Sequence, residues 1–223
     1  MFRPDWLHAI DLGVAPDILG NLLWHALPKT GCATRKEQVA LLFEGMRKFY
    51  DANESENRFT ALTLGMIKAP NDPPKLRGKA GEIRTLAPWA IALCELYFSC
   101  DDPLEQAMMC SAEELARLCS FLDLFDAAGL AETSKRLSAL LVALEEASTP
   151  PAWRAKPKMH LMIELCEYVA PQAGNPRDFW TYRDEDVGGT SAKVTARRGG
   201  KFSATKVSEQ FLVRHMAMHR MQL

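Results

Sequence analysis

Apolar residues recur every three to four positions along most of the chain, and the strict alternation of a half-buried strand is almost absent. The pattern therefore predicts helices. Pro16 suits a first helical turn, Ile18, Leu19, Leu22, Leu23 and Ala26 share one face, and Pro28 stops the run. Thr34 and Glu37 form a capping-box pattern, and Val39, Leu42, Phe43, Met46, Phe49 and Tyr50 follow it with helical period. Residues 53–57 are polar and read as a turn, and residues 59–67 as a short helix. Residues 69–75, with Pro70, Pro73 and Pro74, read as a stiff, exposed connector. From Glu82, the set Ile83, Leu86, Ala90, Leu93, Cys94 and Tyr97 marks a helix that Pro88 kinks.

Asp102-Pro103 opens the next helix, expected from about 103 to 127. Its buried face is Leu115, Leu118, Cys119 and Leu122, with Gly129 as a C-cap. Ser111 and Glu114 inside it repeat the capping-box spacing, as a true helix start or as a coincidence. Leu137, Leu140, Leu141 and Leu144 form a further stripe that Pro150 and Pro151 end. A helix carrying His160 and Glu164 follows, then a turn-rich stretch with room for one weak strand near 179–182. Ser203 caps a final helix with Val207, Phe211, Leu212 and Met218 inward. The fold class expected is all-α: eight or nine helices in an irregular orthogonal array, with little or no sheet. Two regions, 1–149 and 150–223, are expected to form one compact unit.

Composition adds three things. At 223 residues and 48% hydrophobic, the chain is long enough for a sizeable core. The net charge of −1 hides an asymmetry: residues 101–148 carry ten acids and three bases, and residues 187–223 carry seven bases and one acid. That basic end has three readings: contact with nucleic-acid phosphate, docking on the acidic middle, or plain solvation. The six cysteines have no C-x-x-C or zinc-finger spacing and several fall in apolar helical stretches, the pattern of small core residues in a reducing compartment. No apolar run is long enough to span a bilayer, and the first residues lack signal-peptide architecture. An intracellular protein, nuclear or cytoplasmic, with no membrane partner is expected.

Candidate chemistry gathers at Asp5, His8 and Asp11, spaced three and three so that a helix sets them on roughly one face. Such a set can hold a divalent metal or a water, or else Asp5 caps the first helix and His8 packs half-buried. His160 and Glu164, four apart, are a metal half-site or an ordinary polar pair, and His215 and His219 repeat the spacing without the H-E-x-x-H pattern. Residues 76–82, with two glycines and three charges, lack the spacing of a phosphate loop. Asp184, Glu185 and Asp186 are adjacent, either as a favourable helix start or as a source of a catalytic carboxylate.

Asp5-Trp6-Leu7-His8 with Asp11-Leu12-Gly13 and Leu19-Gly20-Asn21-Leu22-Leu23 resembles the D-x-x-H…LG segment of large eukaryotic cut-and-paste DNA transposases of the CACTA-like families. Residues 59–63 and 74–82 also resemble the interior of such elements. Lys158-Met159-His160-Leu161, Trp180-Thr181-Tyr182 and Asp184-Glu185-Asp186 stand where those proteins carry a histidine-containing helix, a W-x-Y-like turn and the last acid of a DDE/D triad. The resemblance implies an RNase H-like ancestry and strand transfer by two Mg²⁺ or Mn²⁺ ions, for which three carboxylates must converge. It carries Asp5 and Glu185 over as metal ligands and catalytic residues, with His8 as an orienting group beside them. It also implies DNA as a partner, with Arg197, Arg198, Lys201 and Lys206 as the nucleic-acid contacts. Only four residues precede Asp5, and no segment reads as the sheet that carries the first Asp in that fold. The expectation is a C-terminal piece or domesticated remnant, catalytically incomplete, which keeps nucleic-acid or protein binding. The alternatives are a helical protein-interaction scaffold with no active site, and a self-sufficient metal enzyme built on Asp5, His8, Asp11, His160 and Glu164. Apolar surface that once covered a sheet would favour self-association.

Overall fold

A computed structural model describes residues 4–148 and 152–182. The chain divides into a unit through Trp180 and a second from Thr181 onward. The first unit is all-α, and no strand occurs among the described residues of the chain, the expected weak strand at 179–182 included.

The opening helix organises the unit. It runs in wide π-type turns over Leu7–Val14 and continues without a break into α1, Ala15–Ala26. Trp6, Leu7, Ile10, Ile18, Leu19, Leu22 and Leu23 are all buried, so the helix is apolar nearly all round and other elements cover it. A 3₁₀ turn at Leu27–Thr30 ends it, with Gly31 left-handed at φ 74°. Thr34 and Glu37 then form the expected capping box of α2, Arg35–Ala52, which buries Val39, Leu42, Met46 and Tyr50.

The short helix expected over 59–67 is confined to one turn, α3, Leu64–Ile67, capped by Thr63. Residues 59–63 are irregular, and Phe59 and Leu62 are buried in the core from this non-helical backbone. The connector at 69–75 is likewise only partly exposed. Its last residues form a strap in which the Lys75 amide donates to the Ile67 carbonyl (2.8 Å) and the Leu76 amide to the Pro16 carbonyl (2.8 Å).

The kinked helix is two helices, α4, Ala80–Thr85, and α5, Ala87–Tyr97, separated at Leu86. Pro88 lies in the first turn of α5, where its missing N–H costs nothing. Asp102 caps α6, Pro103–Leu124, which is continuous. Ser111 donates its hydroxyl back to the Met108 carbonyl, so its capping-box spacing with Glu114 is a coincidence inside one helix. The C-cap of α6 is Phe125 at φ 47°, not Gly129. Gly129 instead lies in the first turn of α7, Ala127–Ala147, and donates its amide to the Asp126 carboxylate. A Cβ there would lie 2.8 Å from the Phe121 ring, so close packing rather than helix termination explains this glycine.

α6 and α7 form an antiparallel hairpin, and α5 packs beside α6. After residue 150 the chain returns to the opening helix as α8, Pro157–Glu164, which continues through Leu165–Val169 into α9, Ala170–Ala173. Residues on both sides of the expected 149/150 boundary thus pack together within the first unit.

Candidate functional site

The D-x-x-H segment is a helix start. The Asp5 carboxylate accepts the His8 amide (3.0 Å) and the His8 Nδ1 (2.6 Å), while the Asp5 carbonyl accepts the Ala9 amide. Asp5 therefore caps the helix, and removing that cap by Asp5→Ala is expected to lower stability by about 1 kcal/mol in urea denaturation. An unchanged midpoint would show that the cap contributes nothing. The His8 side chain is largely exposed rather than half-buried.

Asp11 does not join these two groups on a shared face. It is fully buried, and the Trp6 indole donates to its Oδ1 at 3.1 Å. The wide turns of this segment alter the angular spacing on which a shared face depends. His160 is exposed on α8 and Glu164 half-buried. Among the described residues no three His, Cys, Asp or Glu side chains are grouped to hold a metal ion. Glu185, Arg197, Arg198, Lys201, Lys206, His215 and His219 lie outside the described residues.

The motif segments nevertheless meet. The N-terminal end of α8 lies on the opening helix, where a Cβ at Gly13 would come within 2.9 Å of the Lys158 Cδ. The Lys158 ammonium donates to the Leu12 carbonyl at 3.1 Å, across 146 residues of sequence. One helical turn on from Gly13, Asp17 receives Lys156 at 2.7 Å on each oxygen. Burial and the neighbouring Lys75 charge push the Lys158 ammonium below its usual range. Lys75, Lys156 and Asp17 thus all lie close enough to act on the Lys158 charge, and exposed Arg154 lies with Asp17, Lys156 and Lys158 around a small cavity there.

The turn at Trp180 is held in a different way. Arg84 of α4 and Arg177 each place a guanidinium 5.2 Å from its ring, and both pair with Asp123 of α6.

Two further features escaped the sequence reading. Glu105, 4% exposed, accepts Lys29 (2.6 Å) and His25 (2.7 Å) on one oxygen and the Ser99 amide (2.7 Å) on the other. Burial alone would raise its pKa, but the Lys29, His25 and Ser99 hydrogen bonds outweigh it and hold the carboxyl at about 2. The sequence signal was faint: a histidine and a lysine near the C-terminal end of α1, where positive charge is favoured. The second feature is an apolar groove between α2 and residues 61–64.

All six cysteines are free thiols. Cys94, Cys119 and Cys166 are core residues, as their apolar helical surroundings predict; burial pushes Cys94 and Cys166 up to about 12 and Cys119 up as well, so none is an activated nucleophile. Cys100 is exposed. No helix among the described residues is long and apolar enough to cross a membrane. Compared with protein-family models, with characterised proteins and with solved structures, the chain matches none.

Proposed function

We propose that this chain is a transposase-like helical domain that contacts nucleic acid through its basic surface and does not cut strands by itself. The observation that carries the reading is the seating of the histidine-containing helix on the D-x-x-H helix, with Lys158 over Gly13 and bonded to Leu12. Two segments that each resemble part of one family's motif order are neighbours in space. The chemistry at that junction favours binding over catalysis. Asp5 caps a helix and pairs with His8, and Asp11 is turned into the core, whereas Lys75, Arg154, Lys156 and Lys158 outnumber Asp17 at the surface. Lysine and arginine neutralise phosphates as point charges and as forks, and their contribution falls as salt rises.

Fluorescence anisotropy with a labelled duplex tests it. Binding is expected at roughly 50 mM salt, to weaken at least about tenfold by roughly 200 mM, and to weaken further in Arg154→Glu with Lys75→Glu. With Mg²⁺ or Mn²⁺ present, duplex integrity is expected to stay at background. No binding at the lower salt would remove the nucleic-acid reading. Calorimetric Mn²⁺ binding lost in both Asp5→Ala and Glu185→Ala, together with strand cleavage, would replace the non-catalytic reading with a working metal site.

A further inference from the structure

The groove between α2 and residues 61–64, the irregular run into α3 and its first residue, has a volume of about 510 Å³. That lies within the range of small-molecule sites, roughly 300–1,000 Å³. Its floor and walls are Val39, Ala40 and Phe43 on one side and Ala61, Leu62 and Leu64 on the other. Polar groups are few and sit mainly at one end, where Arg35 and Lys36 open α2.

Among the described residues no acid lines the groove, and neither Arg35 nor Lys36 is ion-paired. The nearest carboxylate in sequence, Glu37, is engaged by the Thr34 amide and hydroxyl at 2.9 Å each. Arg35 is oriented rather than loose: it donates to Gln38 (3.0 Å) and its guanidinium lies 5.1 Å from the Trp24 ring centre. From Arg35 to Phe43 the helix rises about 12 Å, the length of an extended chain of roughly ten carbons.

We infer that this groove binds an amphiphilic anion, a molecule with an unbranched or aryl apolar body lying along Val39, Ala40, Phe43 and Leu64 and an acidic head at Arg35 and Lys36. The apolar body is driven in by burial against aliphatic side chains. The head is selected by two cations that form no ion pair among the described residues. The site is separate from the lysine cluster at Asp17 and does not depend on nucleic-acid binding.

Calorimetry with decanoate, below its micelle concentration, is the test. The wild-type chain is expected to bind one equivalent. Decyltrimethylammonium, with the same tail and the opposite charge, is expected to bind at least about tenfold more weakly. Lys36→Glu combined with Arg35→Gln, both at exposed positions, is expected to weaken decanoate by a similar factor. Ala40→Phe, which fills the groove from an exposed helical site, is expected to abolish binding with the circular dichroism spectrum unchanged. No heat from decanoate, equal affinity for the cationic amphiphile, or undiminished binding by Ala40→Phe would each overturn the inference. So would sedimentation showing a wild-type dimer that Ala40→Phe converts to monomer, because the occupant would then be a second copy of the chain.

Discussion

Gly20→Val is expected to destabilise the chain by roughly 3 kcal/mol or more. In a chain of this size that is a loss of roughly 6–12 °C in Tm. Gly20 lies on α1 where the strap crosses it. A Cβ at this position would collide with the Lys75 backbone and lie 2.5 Å from the Leu76 nitrogen. Both obstacles are main chain, which cannot rotate away as a side-chain tip can. The strap is also fixed from both directions, by the Lys75 amide on Ile67 and the Leu76 amide on Pro16, so the collision would have to break hydrogen bonds or push α1 out of the core. Gly65→Ala is the matching control. Gly65 is helical too, but nothing lies within 4 Å of its added Cβ. There the gain in helix propensity should leave stability unchanged or raise it by about 0.5–1 kcal/mol. Thermal melts followed by circular dichroism compare the two directly. A Gly20→Val midpoint within about 2 °C of wild type would mean that the strap yields to the side chain.

The second large effect is expected at Glu105. Glu105→Gln keeps the shape but leaves Lys29 and His25 facing a neutral amide in a buried place, at a cost of about 3 kcal/mol near neutral pH. The same carboxylate sets an acid dependence. Its pKa is about 2 in the folded chain against an ordinary 4.5. Because the folded value is the lower one, the stabilisation is complete above about 4.5 and is lost as pH falls through about 2. The wild-type minus Glu105→Gln difference in urea midpoint should therefore be constant from pH 7 to about 5 and shrink steadily below it. A difference that stays constant down to pH 2.5 would show that the carboxylate is not held by these hydrogen bonds.

How legibly a contact is written in the sequence depends on how far apart the interacting residues are. The Thr34–Glu37 box lies within one helical turn, so its hydrogen bonds are written in four consecutive residues, and α2 begins where they predict. Gly129 was misread because a glycine after a helix signals a C-cap only when no neighbour demands its missing Cβ. Here Phe121 fills the space, and Phe125 adopts the left-handed turn instead. Residues 59–63 are non-helical for the same kind of reason: Phe59 packs over Gly78, nineteen positions on, a contact that no local pattern encodes. At the candidate site, Asp5 and His8 were legible as a pair. Their departure from Asp11 was not, because the wide turns of the opening helix follow from how it is covered and not from its spacing.

By itself, then, the sequence determined the helical class and several of its boundaries. Apolar period, capping residues and proline position act through hydrogen bonds and side-chain contacts within about a turn, and these are local enough to read from one chain. Tertiary structure alone decided where Lys156 meets Asp17, why Gly20 must have no side chain, how Glu105 finds Lys29 and His25, and that α2 leaves an apolar groove with a basic end. Each joins residues separated by tens to more than a hundred positions. Their proximity is set by how buried helices cover one another, and no local pattern encodes that distance.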